Sequence, residues 1–160
     1  GEMLRVLKRT VPKAQLTSVE IDDRVITTAL RDFGENVTST KIVHADAKDF
    51  VRESGLPQYD AVIVDVYDGS KMPEYFQRAE FYEKVHSLLA PQGMVIVNAK
   101  DRQLAHIVGV SLHVAGFRDV VAFPVVGTPS VIIWAVEHDN WGAVSPPLEL
   151  QVGFARRWEL

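Results

Sequence analysis

The sequence predicts an α/β protein whose strands and helices alternate and whose mostly parallel sheet closes in an antiparallel hairpin. Apolar spacing switches repeatedly between a helical period and short β-branched runs. Acidic residues stand at the ends of strand runs, at Glu20, Asp46 and Asp65. The last two strand runs are joined only by Pro124–Ser130, too short a link for a parallel crossover, so they must pair antiparallel.

Taken in order, Glu2–Thr10 reads as a helix with Met3, Leu4, Val6 and Leu7 on one face and Pro12 beyond its end. A short strand over Gln15–Ile21 ends in the acidic step Glu20-Ile21-Asp22. Helical spacing returns over Asp23–Phe33, with Gly34 as the expected C-cap. Lys41–Ala45 is a strand and Ala47–Glu53 a short helix. Tyr59–Val66 is a nearly continuous β-branched run, the pattern of a strand buried on both faces. Arg78–Leu89 is helical; Pro91-Gln92-Gly93 then turns into a further buried strand, Met94–Ala99. Leu104–Ala115 is a helix closed by Gly116, and Asp119–Phe123 and Val131–Val136 form the hairpin. The nucleotide-binding core is expected to span residues 1–137. Residues 138–160, rich in Pro and Trp, form a tail that either packs on the surface or meets a partner.

The composition excludes several classes of function. The 160 residues carry a net charge of -4 and no basic cluster, so no nucleic-acid face is expected. There is no cysteine, hence no disulfide framework and no thiolate nucleophile. The histidines (His44, His86, His106, His113 and His138) lack metal-ligand spacing, so no metal site is expected. The longest apolar runs are about eight residues, against the roughly 20 a spanning helix needs. A cytoplasmic domain without membrane or nucleic-acid partners is the expectation.

The strand-end acids carry the chemistry, because ligands of open α/β sheets bind outside the carboxyl ends of the strands. Glu20 can accept both hydroxyls of a ribose, or be a solvated strand-end acid. Asp46 can accept from an adenine amino group, or cap the helix that follows, and the two roles are compatible. Asp65 leaves the most apolar strand and is a candidate to position an amine nucleophile and take its proton. Asp68 adds a second negative group on the same loop; Asp68-Gly69 also reads as a turn. Downstream, Tyr75, Phe76, Phe81 and Tyr82 form an aromatic group, part core and part candidate pocket wall.

These residues resemble a known family. Ser18-Val19-Glu20-Ile21-Asp22, Ala45-Asp46-Ala47, Val64-Asp65-Val66-Tyr67-Asp68, Glu80-Phe81-Tyr82 and Leu89-Ala90-Pro91-Gln92-Gly93 are similar, in order and spacing, to the spermidine synthase (polyamine aminopropyltransferase) family. The V-E-I-D and L-x-P-x-G motifs are shared with many methyltransferases; the D-x-x-D loop before an F-Y helix is more specific. The resemblance implies a class I methyltransferase-like, Rossmann-like three-layer sandwich. It also implies that Glu20 and Ile21, with Asp46 and Ala47, hold the nucleoside of decarboxylated S-adenosylmethionine. Asp65 would orient and deprotonate the attacking amine, with Tyr67 and Asp68 binding a polyamine such as putrescine. A homodimer is the assembly to look for. The loop Asp65-Val66-Tyr67-Asp68-Gly69 departs from the family's usual D-S-x-D-P.

In that fold the first strand is central, whereas this chain opens on the first helix. The expectation is that the natural polypeptide continues upstream, with Gly1 the last glycine of a Gly-rich, ligand-approaching loop. The alternative makes Gly1 an added remnant before a true start at Met3. Two other functions compete with aminopropyl transfer. One is an S-adenosylmethionine-dependent methyltransferase acting on a protein amine. The other is a non-catalytic interaction domain in which Asp65 is dispensable and the surroundings of Trp141 or Trp158 matter.

Overall fold

The computed structural model describes residues 2–37, 40–137 and 158–159. Gly1, Trp141 and most of the 138–160 tail lie outside the described residues. The chain divides into two compact units, residues 1–53 and 54–160.

The first unit holds α1 (Glu2–Thr10), β1 (Leu16–Glu20), α2 (Asp23–Val37), β2 (Thr40–His44) and α3 (Ala47–Phe50). β1 and β2 pair in parallel, Leu16 opposite Thr40 and Glu20 opposite His44. The amphipathic reading of α1 holds in part: Leu4 and Leu7 are half-buried while Met3 and Val6 are exposed. Gly34 does not end α2. The helix continues to Val37 and marks the position instead with a kink at Phe33, whose φ of −129° and ψ of 18° leave helical space. α3 is shorter than the expected Ala47–Glu53, closing at the Val51 cap.

The second unit holds β3 (Tyr59–Val64), a short 3-10 helix (Glu74–Gln77), α4 (Ala79–Ser87), β4 (Leu89–Ala99), α5 (Arg102–Val114), β5 (Asp119–Pro124), β6 (Val131–Val136) and β7 (Trp158–Glu159). The sheet order is β3-β4-β6-β5-β7. β3 and β4 are parallel, and β6 runs antiparallel to both β4 and β5, so the expected hairpin is present. β7 adds an antiparallel pair to β5, at Ala122 opposite Trp158. α5 is capped by Asp101, whose side chain accepts from the Leu104 N–H at 2.8 Å, and is followed by Gly116 at a φ of 102°.

The core of this unit follows from alternation along β4. Val95, Val97 and Ala99 are fully buried, while Met94, Ile96 and Asn98 on the other face are half-buried. Val85 of α4, Val108 and Leu112 of α5, Ile133 of β6 and Phe117 complete it. β3 was expected to be buried on both faces and is not. Its Asp60 and Ala61 are exposed and only Val64 is buried. Among the described residues β3 ends the strand order and has β4 as its one strand neighbour.

The segment Pro91-Gln92-Gly93 turns as expected, but inside β4. The register against β3 jumps from Tyr59 opposite Leu89 to Ala61 opposite Met94, and Gln92 takes a φ of 69°. Gly93 is required there by close approach: a Cβ would lie 2.9 Å from the Ala90 carbonyl oxygen and 3.0 Å from that of Tyr59. Both obstacles are backbone atoms and cannot swing aside.

Candidate functional site

In the first unit, the parallel register brings the carboxyl ends of β1 and β2 side by side. The Ala45 N–H donates to the Glu20 carbonyl at 3.1 Å, so the expected nucleoside ligands Glu20, Ile21, Asp46 and Ala47 gather at one end of this sheet. The Glu20 carboxylate turns back on its own chain and accepts from the Asp22 N–H at 3.0 Å, an arrangement that fixes the strand exit. Asp46 caps α3, its Oδ1 accepting from the Lys48 N–H at 2.8 Å. Ala47 opens that helix. Ile21, directly after Glu20, is 63% exposed, an apolar surface beside a strand-end acid. His44 Nε2 lies 2.9 Å from the Ile21 carbonyl oxygen and pins the same turn.

Asp22 has a structural duty that sequence reading did not assign. It accepts from the Arg24 N–H at the start of α2 and holds the Arg24 guanidinium, with Nη2 2.6 Å from Oδ2. The hydrogen bonds from Arg24, its side chain first, pull the Asp22 carboxyl down to about 2. An NMR titration is therefore expected to find the native Asp22 midpoint near pH 2, and Arg24→Ala to return it toward the ordinary 3.8. The folded-state value lies below the unfolded one. The pair's contribution to stability is thus complete above the unfolded value and fades as pH falls through about 2. Because the pair is solvent-exposed, that contribution is small. An open hollow of about 450 Å³ beside this pair is lined by Asp22, Arg24, Val25, Thr28, Ala29 and Phe33.

In the second unit, β3 delivers Asp65 at its carboxyl end and the chain enters an ordered loop. Asp68 and Lys71 exchange backbone hydrogen bonds of 2.9 and 3.1 Å, with Gly69 at a φ of 58° between them. That positive φ is why glycine follows the second aspartate. The turn reading of Asp68-Gly69 is thus realised, and the Asp68 side chain remains exposed. The buried Met72 roots the loop, and the Gln77 amide donates to its carbonyl at 2.7 Å.

The loop is tied to the end of the neighbouring strand β4. Asn98 Nδ2 donates to Asp65 Oδ1 at 2.9 Å. The Tyr67 hydroxyl donates to the Asn98 carbonyl at 2.7 Å and accepts from the Lys100 N–H at 3.0 Å. Lys100 Nζ donates to the Ser70 carbonyl at 2.9 Å. Partial burial holds the Tyr67 phenol above its usual value, with the Asp65 and Asp101 carboxylates adding to the effect and the Lys100 N–H opposing it. It stays a neutral donor. Of the residues expected to meet an acceptor, Asp65 and Asp68 present carboxylates at an exposed loop, while the Tyr67 hydroxyl is committed to the backbone. Asn98 and Lys100 were not singled out in the sequence. The signal was there, since Asn98 is a polar residue at the end of the apolar run Val95-Ile96-Val97, the same pattern that marks Asp65.

The aromatic group divides as core. Phe76, Phe81 and Tyr82 are buried, Tyr82 completely, and the rings meet edge to face. The Tyr82 hydroxyl has no hydrogen-bond partner among the described residues, and burial drives its titration far above the usual range. Among the described residues no group of His, Asp and Glu could hold a metal ion. None of the helices described there is long and apolar enough to cross a membrane.

This architecture, parallel strands ending in acids and a sheet closed by an antiparallel hairpin, defines a Rossmann-like fold of the methyltransferase type. The spermine/spermidine synthase domain model matches residues 1–132, and the chain belongs to that family of transferases. A polyamine aminopropyltransferase of Vibrio vulnificus (strain CMCP6) is 29% identical over 101 residues, covering 61% of this chain and 34% of the relative. The eEF1A lysine and N-terminal methyltransferase of Bos taurus is 34% identical over 104 residues, covering 58% of this chain and 15% of the relative. The crystal structure of human methyltransferase-like protein 13 in complex with SAH superposes with a TM-score of 0.72 at 25% identity, covering 94% of this chain and 72% of that one. The chain thus spans about a third or less of the length of these two curated relatives.

Proposed function

We propose that this chain carries the nucleoside and amine sites of a transferase that moves an aminopropyl group from decarboxylated S-adenosylmethionine to an amine such as putrescine. The observation that carries the reading is Asp65: a carboxylate at the carboxyl end of β3, held by the Asn98 amide and exposed on an ordered loop. Glu20 takes the ribose and Asp46 the adenine amino group, with the exposed Ile21 as apolar cover for the base and Ala47 beside it. The acceptor is a small cation rather than nucleic acid or lipid, in keeping with the chain's net charge of -4. The cytoplasm is the compartment that suits such a substrate.

Asp65 orients the ammonium end of the acceptor and takes one of its protons, and the lone pair so freed on nitrogen attacks the carbon next to the sulfonium. The new C–N bond forms as the C–S bond breaks, and the electron pair returns to sulfur, releasing methylthioadenosine. The positive charge lost from sulfur as the C–S bond breaks reappears on the newly alkylated nitrogen, so the displacement itself creates no net charge. The protein's share is positioning plus electrostatics.

A second reading is favoured by the bovine relative, whose name describes methylation of a lysine and an N-terminus. A carboxylate that deprotonates an amine serves methyl transfer equally well. Calorimetric titration with decarboxylated and with ordinary S-adenosylmethionine separates the two. The expected result is tighter binding of the decarboxylated donor by at least about tenfold, roughly 1.4 kcal/mol. Preference for the carboxylated donor would transfer the assignment to a methyltransferase, and binding of neither would leave an interaction domain.

A further inference from the structure

We infer that Asn98 is a positioning residue for the transfer reaction, acting through Asp65; the inference rests on the reading of Asp65 as the carboxylate that takes the amine's proton. The juxtaposition is set by the sheet. β3 and β4 are parallel with Val64 opposite Val97, so the next residues along, Asp65 and Asn98, leave the sheet together. The Asn98 backbone is held from the other side by its register opposite Ile132 of β6. Its carbonyl receives the Tyr67 hydroxyl, which also binds the Lys100 N–H. Asn98 is therefore fixed before its side chain does anything, and the Asp65 loop is fixed to it.

The amide orientation follows from the hydrogen bond itself. Nδ2 facing Asp65 Oδ1 at 2.9 Å makes a donor–acceptor pair, whereas the flipped amide would set two acceptors against each other. What the amide contributes is geometry without charge. An exposed aspartate at a strand end is otherwise free to rotate about its side-chain bonds. One oxygen held by a neutral donor fixes the rotamer and leaves the negative charge to meet the acceptor. A lysine or arginine in place of Asn98 would hold Asp65 as firmly and would also compete with the acceptor ammonium for it. Lys100, the nearby cation of this strand end, is turned away to the Ser70 carbonyl.

The test compares Asn98→Ala, Asn98→Asp and Asp65→Asn by methylthioadenosine release from decarboxylated S-adenosylmethionine with putrescine. Asn98→Ala is expected to lower kcat about ten- to a hundredfold, the range for a hydrogen bond to a charged group, with the donor KM within about twofold. Adding Asn98→Ala to Asp65→Asn is expected to cost nothing further, because the two act as one unit. Asn98→Asp sets a second carboxylate beside the first and so raises the pH at which the pair can hold a full charge. The acid limb of its kcat profile is expected to move up by about one pH unit or more. A purely structural asparagine would change melting temperature and leave that limb in place. Wild-type kcat in Asn98→Ala, or an unmoved limb in Asn98→Asp, while Asp65→Asn is impaired, overturns the role of Asn98 and spares that of Asp65. Unchanged turnover in Asp65→Asn, or no methylthioadenosine from the wild-type protein, overturns the reading of Asp65 and the inference with it.

Discussion

Replacing Asp65 by asparagine is expected to lower turnover by about two to four orders of magnitude, the range that a positioned general base supplies. The substitution keeps size and shape. The Asn98 amide can still donate to the remaining carbonyl oxygen, so the loop braced by Tyr67 and Lys100 keeps its course. What disappears is the negative charge and the basic oxygen that the proposal assigns to ordering the amine and taking its proton. Donor affinity, which the proposal assigns to Glu20 and Asp46, is expected to stay within about twofold of wild type. Methylthioadenosine release measures the first quantity and calorimetry the second. If turnover of the variant equals that of the wild type, Asp65 is not the base and the non-catalytic interaction domain becomes the better description.

Phe81→Ala is expected to give the largest loss of stability, about 3–5 kcal/mol in chemical denaturation, with a fall in Tm on the order of 10 °C. Phe81 is 2% exposed and stands at the hub of an edge-to-face cluster. Its ring centroid lies 5.7 Å from that of Tyr75, 5.0 Å from Phe76 and 5.2 Å from Tyr82. Truncation removes the ring's burial and leaves a cavity bordered by rigid aromatic plates, which cannot collapse into it as aliphatic chains would. Phe81→Leu is expected to lose clearly less, since it keeps most of the apolar volume. A Phe81→Ala protein of unchanged stability but impaired turnover would make this ring a wall of the acceptor site instead of core.

Local chemistry explains what the sequence disclosed. The alternation of periods locates the main helices and strands, because β-branched runs and helical spacing each dictate one geometry, whereas the 3-10 helix Glu74–Gln77, the early start of β4 at Leu89 and β7 carry no such signal. The brevity of Pro124–Ser130 determined the antiparallel hairpin for the same reason. Asp46 and Asp101 both stand at positions that cap the helix that follows, and both do so. The misreadings are non-local. Gly34 looked like a helix stop, but a glycine ends a helix only if the backbone turns left-handed there, and the chain kinked at Phe33 instead. The apolarity of β3 suggested burial on both faces, yet burial depends on neighbours that a strand's own residues do not specify. The roles of Asn98 and Lys100 are likewise set by distant partners. Their partners lie about 30 residues away in sequence, joined by the sheet alone.

The place of β6 between β4 and β5 has a consequence for how the protein is made. β4 is complete at Ala99, but the strand that covers its second edge ends only at Val136. On the ribosome, the run Met94-Val95-Ile96-Val97 must wait with one row of amide and carbonyl groups open until α5 and β5 have emerged. Such late, non-local closure slows folding, and an apolar strand with an open edge is a template for pairing with another chain. The interval between the synthesis of β4 and that of β6 is thus when this sequence is most exposed to aggregation, and where a chaperone would have the most to protect.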